Sequence, residues 1–169
     1  MSIWWSLHLR REAASVPLAR RLLLGTMETA GVDPDISFDL SVALTEACAN
    51  AVEHGGRGVH RDHGGHDGHG RTSAGGGRGA GGPDGTEAYH VTAYLDGDRC
   101  RIEVTDSGPG FPPATVSRRR PALAEHGRGL GLIAELSDHV RLRNRPGRGA
   151  VVSFDKMLKW RDGALLKVS

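Results

Sequence analysis

"YHVTAYLDGDRCRIEVTD", residues 89–106, carries two short alternating runs around an Asp-Gly-Asp turn. Apolar and polar residues alternate in "YHVTAYL" and again in "RCRIEVTD". A period of two is the pattern of a strand with one buried face. Between the runs stands Asp96-Gly97-Asp98, and a glycine there supplies the left-handed backbone that a tight hairpin needs. The stretch predicts two antiparallel strands joined by a short turn, and it anchors the reading of the rest of the chain.

Upstream, residues 3–9 read as a further strand in which Trp4 and Trp5 offer large packing surface. A helix is predicted over residues 15–30. Ser15 is its possible cap, Pro17 lies in its first turn and Gly31 just past its end. Leu18, Leu22, Leu23 and Met27 form its expected apolar stripe. Asp33-Pro34-Asp35 starts a second helix, which runs to about His54 and stops at Gly55-Gly56. Its packing face is Leu40, Leu44, Ala47 and Ala51, at spacings of three and four.

Downstream, "SGPGFPP" ends the strand pattern and a basic stretch covers residues 114–126. "GRGLGLIAELSDHV" reads as a glycine loop feeding a short helix. "VRLRNRPGRGAVVSFD" reads as a second strand pair around a glycine-rich turn. The tail, residues 156–169, is compatible with a short helix or a terminal strand. Hairpin-joined strands with grouped helices predict an α+β fold. The expected architecture is a two-layer α/β sandwich, its mixed, mostly antiparallel sheet covered by helices on one face. No GxxxxGK[ST] occurs, and no GxGxxG follows a strand in a βαβ unit.

Composition bounds the function. The chain of 169 residues, 38% hydrophobic and 25% charged, reads as one soluble domain over residues 1–169. A formal net charge of +2 gives no case for a nucleic-acid binder. Neither Cys48 nor Cys100 sits in a metal-binding spacing, so both are expected as reduced core thiols. The start of the chain lacks a signal-peptide pattern, and no run approaches the ~20 apolar residues of a membrane span. The expected location is the cytoplasm, away from membrane. Residues 55–87 are glycine-rich and almost without large apolar side chains, so they are expected to form a disordered insertion. His60, His63, His66 and His69, with Asp62 and Asp67, superficially look like a metal tract there. Without a packed shell to orient the imidazoles, specific metal binding is not expected.

Three motifs carry chemistry. In "TEACANAVEHG", residues 45–55, Glu46 and Asn50 stand one helical turn apart. A carboxylate and an amide oxygen so placed suit a general base and a ligand for Mg²⁺, a cation that prefers oxygen donors and shares phosphate oxygens. Asp106-Ser107-Gly108-Pro109-Gly110 follows a strand. There a carboxylate can accept a hydrogen bond from an exocyclic amine, and glycines let backbone approach a flat ligand. Gly127-Arg128-Gly129-Leu130-Gly131 opens a helix, and free N–H groups at a helix N-terminus suit phosphate. Alone, each has an ordinary structural reading: polar helix surface, turn after a strand, loop before a helix.

In series, the three resemble the N, G1 and G2 boxes of the GHKL (Bergerat-fold) ATPase superfamily. Within it the chain looks most like the small bacterial anti-sigma-factor serine/threonine kinases, on "LTEACANAVEHG", "VTDSGPGF" and "HGRGLGLI". The resemblance covers nearly the whole chain except the insertion and the tail. It implies ATP and Mg²⁺ as cofactors, with Glu46 as general base, Asn50 as Mg²⁺ ligand and Asp106 on the adenine amino group. It implies that Gly108 and Gly110 shape the adenine pocket. Gly127, Arg128, Gly129, Leu130 and Gly131 would wrap the phosphates. Residues 111–126 would be the lid, from which Arg118, Arg119 or Arg120 reaches the γ-phosphate. The implied partners are a small antagonist protein as phosphorylation substrate, a sigma factor, and a second copy paired through the first strand. Two features depart from the family: the insertion, and Gly149-Ala150 where Gly-Thr is usual. Loss of that hydroxyl keeps open a non-catalytic, nucleotide-dependent binding module. A detached histidine-kinase catalytic domain is disfavoured by the short lid and by the lack of room for a dimerising helical hairpin.

Overall fold

The computed structural model describes residues 2–54, 88–106, 128–145 and 149–164. Five strands form one sheet: β1 (Ser2–Arg10), β2 (Ala88–Asp96), β3 (Arg99–Asp106), β4 (His139–Arg145) and β5 (Gly149–Met157). Their order is β1-β2-β3-β5-β4. β2 and β3 are the expected hairpin, with Asp96 opposite Arg99 and Gly97 at φ 57° in the turn. Alternation does what it predicts. Tyr89, Val91, Ala93 and Leu95 of β2 and Cys100, Ile102 and Val104 of β3 are buried, while their neighbours face outward. Every described pair is antiparallel, so the expected mixed character is absent from this part of the sheet. β3 and β4 run in the same direction, but β5 lies between them and separates them.

Among the described residues three α-helices cover one face: α1 (Val16–Ala30), α2 (Pro34–His54) and α3 (Arg128–Leu136). α2 packs on α1, on α3 and on strands β2 and β3, and so forms the centre of the helical layer. Its predicted face is the buried one: Leu40, Leu44, Ala47 and Ala51, with Ala43 and Cys48 added. α1 departs from its predicted stripe. Ala19, Leu23, Met27 and Ala30 are buried, whereas Leu18 and Leu22 are 53% and 38% exposed. Each helical residue turns by ~100°, so Leu18 and Leu22 lie one step round from the seam that small Ala19 and Ala30 let close. α1 ends at Gly31, whose φ of 84° is left-handed and whose N–H bonds to the carbonyls of Glu28 and Met27.

Ser15 does not cap α1 through its side chain. Its Oγ donates to the Glu12 carbonyl at 2.7 Å and lies 2.7 Å from the Tyr89 hydroxyl. Because the serine proton is spent on Glu12, the tyrosine O–H donates to Ser15. These two bonds tie the entry of α1 to β2 in a buried setting. The Cys48 thiol of α2 adjoins the same Tyr89 hydroxyl.

The tail begins as strand, Lys156 and Met157 closing β5. Residues 158–164 cross the α1–α2 corner as a strap. Val32 and Trp160 form an isolated antiparallel bridge, and the Asp33 N–H donates to the Lys159 carbonyl at 2.7 Å. Lys156 of β5 pins α3 against α2. Its ammonium donates to the Leu136 carbonyl at 2.9 Å and lies 3.5 Å from Asp39. The expected insertion at residues 55–87 and lid at 111–126 lie outside the described residues.

Candidate active site

Glu46 and Asn50 are half-buried on α2, on a flank of the seam that Leu44, Ala47 and Ala51 press into the core. α3 meets them with its first turn. A methyl carbon placed on Gly129 would stand 3.1 Å from Glu46 Oε2 and 3.3 Å from both Asn50 amide atoms. Such a fit is tighter than nine in ten real contacts of this kind, so Glu46 and Asn50 would have to give by a few tenths of an ångström to admit a side chain at residue 129. The glycine signal at residues 127–131 thus has a tertiary reason at Gly129. Leu130 and Ile133 hold the helix in this position, both fully buried.

The chemistry follows from what meets here. The first turn of an α-helix carries N–H groups without intrahelical acceptors and the positive end of the helix dipole. Beside it stand one carboxylate and one amide, both able to offer oxygen. That donor set suits a phosphate group on the backbone side and a hard cation on the oxygen side. Among the described residues, no three His, Cys, Asp or Glu side chains are grouped to hold a metal ion by themselves.

Asp106 closes β3. Residues 100, 102 and 104 of that strand face the helices, and residue 106 continues the alternation onto the same side. Asp106 Oδ1 accepts a hydrogen bond from the Ala150 N–H at 3.3 Å. Across the sheet its partner is Tyr89, the residue that Cys48 touches from α2 between Glu46 and Asn50. Burial first, offset in part by the hydrogen bond to Tyr89, pushes the Cys48 thiol up to about 12. Burial likewise pushes the Tyr89 phenol up to about 12. Both stay neutral at ordinary pH and act as struts rather than as nucleophiles.

Of the residues singled out from sequence, Gly129 stands against both Glu46 and Asn50, and Asp106 sits at the end of β3. Leu130 is only 1% exposed, so any contact it offers a ligand runs through its main chain. Gly131 is half-buried on α3. Gly108, Gly110, Gly127, Arg118, Arg119, Arg120 and the Arg128 side chain lie outside the described residues. Sequence reasoning missed the Ala150 N–H as a holder of Asp106, and the Ser15–Tyr89–Cys48 chain. Main-chain donors and pairings between remote residues leave no local mark.

Residues 9–156 match the family model described as the histidine kinase-like ATPase domain. The chain belongs to that family. It is 29% identical over 152 residues to the serine-protein kinase RsbW of Bacillus pumilus (strain SAFR-032), covering 85% of this chain and 78% of the relative. It is also 29% identical over 141 residues to RsbW of Bacillus subtilis (strain 168), covering 78% and 72%. A crystal structure of the RsbU and RsbW domains of Rv1364c from Mycobacterium tuberculosis superposes with a TM-score of 0.56 at 19% identity. The match covers 91% of this chain and 32% of that one, and it shows a shared fold. Family membership makes ATP the expected ligand. No helix among the described residues is long and apolar enough to cross a membrane.

Proposed function

We propose that this domain binds ATP with Mg²⁺ between α2, the end of β3 and the start of α3, and phosphorylates a serine or threonine of a small antagonist protein. The observation that carries the proposal is the approach of the Gly129 backbone to Glu46 and Asn50. It leaves helix N–H groups, a carboxylate and an amide around one point, a donor set that fits a metal–phosphate group. The bound nucleotide supplies the phosphoryl group. Asn50 is the cation ligand through its amide oxygen, and Asp106, which also accepts from the Ala150 N–H, is the acceptor for the adenine amine. Glu46 receives the proton of the attacking hydroxyl on its carboxylate. The similarity to two RsbW serine-protein kinases supports the transfer reading. By the same similarity we assign a sigma factor as second partner, a homodimer paired through β1, and a cytoplasmic place.

The decisive test replaces one atom. Glu46→Gln is expected to hold ATP within about threefold of the parent, while transfer to candidate antagonists falls ~10²–10⁴-fold, the usual worth of a general base. Radiolabelled phosphate on the antagonist reads the second quantity. Undiminished labelling by the variant would remove Glu46 from its role. One observation favours a second reading, a nucleotide-dependent binding module. Ala150, next to the adenine acceptor Asp106, is buried without a hydroxyl to offer. ATP binding by the parent without transfer to any candidate antagonist would support it.

A further inference from the structure

Two helices, α2 and α3, meet at the candidate site, and they are tied at two places. At the start of α3, Gly129 stands against Glu46 and Asn50. At its end, the carbonyl of Leu136 accepts from the Lys156 ammonium at 2.9 Å, and the same ammonium lies 3.5 Å from Asp39 of α2. Asp39, Ala43, Glu46 and Asn50 follow one another along α2 at spacings of four, three and four, so they share one face. α3 therefore runs antiparallel to α2 along that face, with Leu130 and Ile133 buried beneath it. The Lys156 side chain is only 15% exposed. A cation at that place also complements the negative end of the α3 dipole.

We infer that Lys156 is a positioning residue of the phosphate site: from the far end of α3 it sets how closely the first turn stands to Glu46 and Asn50. Gly129 and Leu136 are seven residues apart, ~10 Å along a helix. So short a helix moves as one rod, and a shift at Leu136 reaches Gly129. The fit at Gly129 has little slack, since a methyl carbon there would stand 3.1 Å from Glu46 Oε2. Packed helices shift past one another by ~1–2 Å, and ~1 Å of misplacement can cost ~10²-fold in a reaction. The turn after α3 is fastened to β5 separately. The Asp138 N–H donates to the Asp155 carbonyl at 2.8 Å, and the Asp138 carboxylate accepts from the Met157 N–H at 2.6 Å. Without the ammonium, α3 thus stays on the sheet and loses its tie to α2. The adenine corner, Asp106 with the Ala150 N–H, joins β3 to β5 and does not share that tie.

The inference rests on the reading of the first turn of α3 as the phosphate holder, and binding measurements separate the two. Lys156→Met keeps the stem and removes the charge. Calorimetric titration of the full chain with Mg²⁺ and ATP, beside adenosine followed by ligand-observed magnetic resonance, reads the phosphate and adenine ends apart. Lys156→Met is expected to weaken ATP about tenfold and to leave adenosine within about twofold. Lys156→Arg, which restores a cation and its donors, should recover most of the ATP affinity. If the thermal melt shows that Lys156→Met does not fold, Asp39→Asn carries the same test, with ATP weakened about threefold and adenosine unchanged. ATP held as tightly by the variant as by the parent overturns the inference and leaves the ATP reading standing. An equal loss of both ligands also overturns it, because the lysine would then only support the fold. A parent that holds ATP no better than adenosine removes the phosphate reading and the inference with it.

Discussion

At the scale of single residues, the approach between Gly129 and the Glu46–Asn50 pair makes opposite demands on stability and on binding. Alanine in a helix is favoured over glycine by up to ~1 kcal/mol. Its methyl at position 129, however, would meet Glu46 Oε2 at 3.1 Å and Asn50 at 3.3 Å. Gly129→Ala is therefore expected to keep or raise the melting temperature while weakening ATP at least tenfold, read by calorimetric titration beside a thermal melt. Equal affinity would mean that the pair yields without disturbing the ligand. Ala150 offers the reverse experiment. Ala150→Ser restores a hydroxyl beside Asp106, and one net hydrogen bond of ~0.5–1.5 kcal/mol would tighten ATP about two- to tenfold. An unchanged dissociation constant would show that the Ala150 N–H already meets the need at this corner.

At the scale of elements, α1 separates the leucines that hold the fold from those that do not. Leu23 is fully buried against α2 and the sheet, while Leu18 is half-exposed. Truncating a buried leucine costs ~2–5 kcal/mol, and an exposed one usually less than ~0.5 kcal/mol. Urea unfolding should thus separate Leu23→Ala from Leu18→Ala by at least ~1.5 kcal/mol, the difference those ranges leave at their nearest. The expected stripe pointed to a helix correctly and included its buried Leu23 and Met27, but Leu18 and Leu22 stay outside because alanines 19 and 30 decide how closely α1 can seat. β1 teaches the same lesson with aromatics. Trp5 turns inward and donates its indole N–H to Thr26 at 3.1 Å, whereas Trp4 is 68% exposed on the opposite face. Adjacent strand residues must diverge, and local sequence does not say which one goes in.

At the scale of the whole molecule, buried and crowded titratable groups frame a pH window. The His90 imidazole is held below its usual range, first by burial and then by His8 and Arg145; the His8 ring lies 3.3 Å away. The unfolded chain takes up that proton more readily, so stability falls as pH drops through ~6.5. On the alkaline side, burial raises Cys48, Cys100 and Tyr89 to about 12. Unfolded thiols ionise near ~8.5 and unfolded tyrosine near ~10, so stability falls again as pH climbs from there towards 12. The urea midpoint should accordingly peak between about pH 7 and 8.5, and His90→Gln should flatten the acid side. An acid side as steep in that variant would place its cause elsewhere. Strand periodicity, helix seams and glycine punctuation are local consequences of backbone geometry, so the described strands and helices and the α+β class were legible in the residues alone. The sequence also named Glu46, Asn50 and Gly129, because a polar turn among alanines and a glycine run before a helix are local signals. Only the tertiary structure decided that β5 lies between β3 and β4, that Asp106 is held by the Ala150 N–H, and that the residue-158–164 strap crosses the α1–α2 corner. Those contacts join segments far apart in the chain, and their energies depend on how all the elements pack at once.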